Sequence, residues 1–251
     1  MKKTYNCKLI KKTELCKGIY DFVVEAPEIA AAAQKGQFLH ISCGGSTLLR
    51  RPISICDTDE TTVRFAFQVK GEGTAELAKR EVGDIIDIMG PLGHGFTYTP
   101  GQKSVVIGGG IGVFPLLGLA RETDSAVFLG FRTKDLVTME EDFRAASSNV
   151  TICTDDGSYG YNGFAVAAMG EYLIDNKPDM IFCCGPTPLL KVVQQIAEHM
   201  NIPCQLSLEQ RMGCGIGACL TCVCETKEEG MGKYKQVCSC GPVFDSKEVV
   251  L

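Results

Sequence analysis

The stretch RMGCGIGACLTCVCET, Arg211–Thr226, carries Cys214, Cys219, Cys222 and Cys224, and Cys238 and Cys240 follow soon after. Six of the fourteen cysteines thus lie in the last 38 residues, and no other feature limits the chain so tightly. Cys214, Cys219 and Cys222 are spaced C-x4-C-x2-C, with Cys238 fifteen intervening residues further on. That is the plant-type ferredoxin spacing for a 2Fe-2S cluster. A cluster held by thiolates is negatively charged, so backbone N–H groups must approach its sulfurs. Gly213, Gly215, Gly217 and Ala218 keep that approach open. The competing reading is a structural zinc site on Cys219, Cys222, Cys238 and Cys240. Zinc pairs usually enclose two to four residues, however, and the second pair here encloses one. Cys224 and Cys240 are therefore expected to be non-ligands. Cys7, Cys16, Cys43, Cys56, Cys153, Cys183 and Cys204 read as small buried hydrophobes.

A chain of 251 residues, 45% apolar and 22% charged, can bury a proper core in two medium domains or one large one. Its net charge of -5 comes with no basic block beyond Lys2, Lys3, Lys11 and Lys12, which argues against nucleic acid as a partner. The first twenty residues interrupt every apolar run, so no secretory segment is expected. The longest apolar stretch, residues 104–120, is broken by glycines and Pro115, and no membrane span is expected either. The expected location is the cytoplasm, where clustered cysteines more often bind metal than form disulfides.

Residues 1–100 read as six short strands, YNCKLIKKTEL, IYDFVVEAP, QFLHISCG, PISICDTD, TVRFAFQVK and DIIDIMGP, separated by turn formers. This is the pattern of a small antiparallel barrel or sandwich, with GTAELAKR as its only helix. From Gly101 to Pro203 apolar strands alternate with helical stretches: KSVVIGG, GVFPLLGLARE, SAVFLGFR, FRAASS, VTICTDDG, FAVAAMGEYLID, DMIFCCGP and PLLKVVQQIAEHM. Such alternation predicts a doubly wound parallel sheet. The expected organisation is multidomain β and α/β, with a barrel over 1–100, an α/β nucleotide domain over 101–203 and a small cluster domain over 204–251.

Two further segments suit phosphate. GEGTAEL, Gly71–Leu77, feeds a glycine turn into a helix N-terminus, where free N–H groups and the helix dipole favour an anion. Arg51, in LLRRPISI, would add a bidentate contact, although an ordinary surface arginine and turn would look the same. VVIGGGIGVFP, Val105–Pro115, is strand, glycine turn and helix start, but Val113 stands where the last glycine of G-x-G-x-x-G would fall. TDDG and CCGPTPLL follow apolar strands and so belong at the same carboxyl edge of the sheet, where open α/β sheets bind ligands. His94 reads as an exposed or capping histidine ahead of a proton donor, and His40 and His199 show no constellation. Arg132 precedes Asp135 after the second strand, which leaves NAD and NADP both open. No nucleophile or acid–base arrangement emerges, as suits a protein whose cofactors do the chemistry.

RRPIS and GEGT, followed by GGGIGVFP and CGP, resemble the ferredoxin–NADP reductase superfamily over essentially the whole chain. LEQRMGCGIGACLTCVC and VCSCGPVFDSKEVVL narrow the resemblance to the electron-transfer subunits of the NAD-dependent, two-subunit dihydroorotate dehydrogenases of pyrimidine biosynthesis. The resemblance implies FAD on Arg51, Pro52, Ile53, Ser54, Gly73 and Thr74. It implies NAD on Gly109, Gly110, Gly112, Cys184, Gly185 and Pro186, and the cluster on Cys214, Cys219, Cys222 and Cys238. It also implies an FMN-containing catalytic partner in a heterotetramer of two copies of each subunit. His94 and the extra Cys240 depart from the pattern, and Cys240 stands as a competitor for the fourth ligand. Two other readings compete with this one. One is the small subunit of a ferredoxin-dependent NAD(P)H oxidoreductase or sulfide dehydrogenase; the other is a nucleotide-sensing module with structural zinc and no turnover.

Overall fold

The computed structural model describes residues 3–45 and 47–251. Strands β1 (Thr4–Cys16), β2 (Ile19–Glu25), β3 (Phe38–Ile41), β4 (Arg51–Thr58), β5 (Thr62–Gln68) and β6 (Ile85–Leu92) close into a barrel in the order β1-β2-β5-β4-β3-β6. Alternation drives the closure. β6 buries every second residue, and Ile86 and Ile88 meet Leu9, Phe22, Val24 and Phe65 inside. All six expected strands are present. The barrel has two helices rather than one, however: the expected α2 (Glu72–Ala78) is preceded by α1 (Pro27–Ala32). Pro27 at the first helical position and the alanines behind it favour this turn and a half, which is too short to show helical periodicity.

The second half holds β7 (Lys103–Gly109), β8 (Asp124–Phe131), β9 (Asn149–Thr154), β10 (Tyr161–Asn162), β11 (Met180–Cys184) and β12 (Cys204–Ser207), all parallel. Helices α3 (Leu117–Glu122), α4 (Glu140–Ala146), α5 (Ala165–Asp175) and α6 (Thr187–Met200) connect them. Covered on both faces, β7 reads as an unbroken apolar run, the pattern of a central parallel strand. The glycine turn behind it does not open an α-helix. Gly110–Leu116 is a 3-10 helix, and α3 begins only at Leu117. Glycines propagate an α-helix poorly, and Pro115 lacks the N–H that an α-helical turn would use.

A short hairpin, β13 (Val223–Glu225) with β14 (Tyr234–Gln236), follows β12, and β15 (Val243–Asp245) then returns to pair antiparallel with β12. The seven-stranded sheet runs β10-β9-β8-β7-β11-β12-β15. β12 starts at the first residue after the expected boundary at 203 and is a full member of this sheet. The cysteine segment is thus tied down at both ends, with Leu208 N donating to Pro242 O at 2.8 Å and Ser246 N to Cys204 O at 2.8 Å. It also meets the barrel, where His94 N donates to Gly241 O at 2.6 Å. Among the described residues no helix is long and apolar enough to cross a membrane.

Candidate functional site

Between β12 and β13 the chain folds a tight loop around its own sulfurs. The amides of Ile216, Ala218 and Cys219 donate to Cys214 Sγ at 3.5, 3.3 and 3.4 Å. Gly217 N donates to Cys238 Sγ at 3.2 Å, and Cys238 N to Cys222 Sγ at 3.4 Å. Two of these contacts join cysteine to cysteine, the Cys219 amide to the Cys214 sulfur and the Cys238 amide to the Cys222 sulfur. The loop needs its glycines, because Gly215 and Gly217 hold φ of 71° and 85°, and a Cβ on Gly217 would stand 2.9 Å from Ser239 Oγ. The hydroxyl and amide of Thr221, and then Cys214, bring the exposed Cys219 thiol down to about 6. Burial and the neighbouring Cys222 thiol push Cys238 up to about 12, so metal must displace a proton there. Five amides aimed at the sulfurs of Cys214, Cys222 and Cys238 fit an anionic iron–sulfur cluster. Cys224 instead turns its sulfur to Lys235 O, and Cys240 lies exposed beside Ser239 and Gln236. Of the seven cysteines expected to be buried, six are, and Cys16 is half-buried.

On the barrel, Arg51 lies across the start of α2. A Cβ on Gly73 would stand 2.6–2.7 Å from the Arg51 Nε, Cζ and Nη2 atoms, so only glycine lets the guanidinium settle there. Arg51 Nη1 donates to Leu49 O, and the cation has no acidic partner among the described residues. A fixed, unneutralised guanidinium over backbone amides fits a dinucleotide pyrophosphate. Thr74 is engaged locally: its hydroxyl accepts from Lys70 N at 2.9 Å and Gly71 N at 3.2 Å, and donates to Gly71 O. Pro52, Ile53 and Ser54 continue along β4, each half-buried, with Ser54 opposite Phe38 and Pro52 opposite His40 in the register with β3.

Between barrel and sheet opens a cleft of about 760 Å³, lined by Gly108–Gly112, Gly130–Arg132, Gly185, Pro186 and Glu209, with Ile19, Gln68 and Lys70 from the barrel. Its floor is two turns packed backbone to backbone. A Cβ on Gly112 would meet Gly185 Cα at 2.6 Å and Cys184 O at 2.7 Å. Gly109, Gly110 and Gly112 thus come together with Gly185 and Pro186, whereas the Cys184 side chain lies beneath them, 2% exposed. Burial pushes its thiol up to about 12. Arg132 lines the cleft, and Asp135 does not. His94 sits outside it, on a separate polar groove with Lys35 and Glu122.

His40 escapes sequence reasoning altogether. It is 1% exposed, neither ring nitrogen has a hydrogen-bond partner among the described residues, and the backbone groups facing it belong to Arg50 and Cys214. Burial, then the Arg50 charge, bring it down to about 4. Nor could the sequence show that Gln68 and Lys70 enter the cleft, since the barrel–sheet junction puts them there.

Barrel, parallel sheet, shared cleft and sulfur loop together define a ferredoxin-reductase-like oxidoreductase with an appended iron–sulfur domain. Residues 209–250 match the family model for the iron-sulfur cluster binding domain of dihydroorotate dehydrogenase B. Proteins of Bacillus cereus (strain Q1) and Bacillus anthracis (strain CDC 684 / NRRL 3495), both named dihydroorotate dehydrogenase B (NAD(+)), electron transfer subunit, are 40% identical over 264 aligned positions covering all of each chain. The chain belongs to this family of electron-transfer subunits. The solved structure of NADH-dependent reduced ferredoxin-NADP oxidoreductase, which addresses flavin-based electron bifurcation, superposes with a TM-score of 0.88 at 28% identity. That match covers 100% of this chain and 91% of the other. The ferredoxin reductase of carbazole 1,9a-dioxygenase shares the fold at 21% identity, with a TM-score of 0.67 over 80% of this chain and 67% of that one.

Proposed function

We propose that this chain carries electrons between an FMN-containing, dihydroorotate-oxidising partner and NAD, in a cytoplasmic heterotetramer of two copies of each subunit. The observation that carries this reading is the set of five amides, four on the loop and one at Cys238, donated to cysteine sulfurs in a chain that also forms a nucleotide-sized cleft. Cys214, Cys219, Cys222 and Cys238 would hold the 2Fe-2S cluster. Arg51, Pro52, Ile53, Ser54, Gly73 and Thr74 would hold FAD, and Gly109, Gly110, Gly112, Cys184, Gly185 and Pro186 would hold NAD. When bound, the flavin exchanges hydride equivalents for single electrons, which are all that the cluster handles. The chain's residues then bind and insulate. Arg51 neutralises pyrophosphate, the Gly112–Gly185 packing sets the depth of the nucleotide, and Cys184 stays a neutral thiol beneath it. Ile216 and Leu220 are exposed on the cluster loop and suit contact with the catalytic partner. The nucleotide is NAD rather than NADP, in line with relatives named for NAD(+).

Anaerobically purified protein should hold about two irons and two sulfides with one FAD per chain and absorb in the visible accordingly. Zinc without flavin would overturn the reading and favour a sensing module. The likeness to the ferredoxin-NADP oxidoreductase supports a second choice of partner. Copurification with an FMN protein that oxidises dihydroorotate separates the two.

A further inference from the structure

We infer that His40 is a positioning residue that fixes the cluster loop onto the barrel, through a ring N–H directed at the backbone of Cys214. The inference rests on the cluster reading above. In β3, Leu39 and Ile41 join the barrel interior, so His40 between them points outward, and there the sulfur loop covers it. Gly215 rests directly on the ring: a Cβ at this position would stand 2.7 Å from His40 Nδ1.

An apolar side chain would fill this space without burying two nitrogens. Neither ring nitrogen has a hydrogen-bond partner among the described residues, and the backbone groups of Arg50 and Cys214 are those that face them. Imidazole carries at least one N–H in either protonation state, so a donor to a backbone carbonyl is always present. One of those two neighbours is immobile. Arg50 Nη1 donates to His40 O at 3.3 Å and Asp87 O at 3.1 Å, and Nη2 to Asp87 Oδ2 at 2.5 Å, clamping the residue that leads into β4 to β3 and β6. Across the strand pair His40 faces Pro52 of the expected flavin segment. One ring therefore spans the barrel strand beside the flavin motif and the peptide of the first cluster cysteine. Its N–H also presents the positive end of a dipole towards that ligand, which favours the more negative, reduced cluster.

The test compares His40→Gln, which keeps an N–H donor, with His40→Met, which keeps volume without one, in the full-length protein assembled with its partner. Iron content, the electron paramagnetic resonance spectrum of the reduced cluster and its midpoint potential are measured. His40→Met is expected to shift the potential to more negative values and alter the spectrum, or to lose the cluster. His40→Gln is expected to stay close to wild type. Equal behaviour of the two variants, both native-like or both damaged, would overturn the inference. Wild-type iron and FAD content tests the underlying reading separately, since a cluster-bearing wild type with indistinguishable variants sinks only the role of His40.

Discussion

At Gly73 a single hydrogen atom decides whether Arg51 can lie across the start of α2. Gly73→Ala should push the guanidinium aside and weaken FAD binding by about the worth of one charged hydrogen bond, roughly 1.5–3 kcal/mol. Flavin release measured by fluorescence checks this, and unchanged affinity would remove Arg51 from the pyrophosphate site. Among the cysteines, Cys238→Ser is expected to abolish the cluster and Cys240→Ser to leave iron content unchanged, because Cys238 receives the Gly217 amide while Cys240 faces solvent. Alkylation at pH 7.5 should report the same division. In loaded protein iodoacetamide should label Cys240, and after anaerobic chelation also Cys219, whose thiol lies at about 6, while Cys184, held up near 12, stays unlabelled. Mass spectrometry of the adducts decides it. The four proposed ligands were legible because their spacing is local. His40 was not, because its place depends on strand register and on Gly215, which reaches it from the far end of the chain.

At the scale of elements, periodicity revealed what is long or continuous. The six barrel strands and β7 could be read directly, whereas α1 and the three-residue strands β13, β14 and β15 were too short to announce themselves. The glycine turn after β7 was legible as a turn, but its packing against the Gly185 turn was not, since that contact is with a loop more than seventy positions away. That contact is testable. Gly112→Ala sets a methyl against the Gly185 backbone, which cannot rotate aside. The two turns must part, at a cost of about 1–3 kcal/mol. NADH titration should show lost nucleotide binding with FAD retained, accompanied by a lower melting temperature.

For the whole molecule, the barrel and the nucleotide domain are locked by Arg64. Its Nε lies 3.0 Å from Asp21 on β2 and its Nη1 2.6 Å from Asp142 on α4, with Asp21 only 3% exposed. Arg64→Met leaves Asp21 buried without its cation, a loss of roughly 3 kcal/mol in urea unfolding. Asp142→Asn, which spares that pair, should cost about 1 kcal/mol. Gln68 on the strand of Arg64 and Thr138 just ahead of α4 line the cleft, so the Arg64 variant should also bind NADH more weakly.

The return of β15 to the edge of the sheet has a kinetic meaning. A ferredoxin on a tether must swing to deliver its charge, and its rate then follows the thickness of the solvent. Here the sulfur loop is a bracket bolted at β12 and at β15, so electrons would hop across an unchanging gap. Flavin-to-cluster transfer should accordingly run at the same speed in glycerol as in buffer.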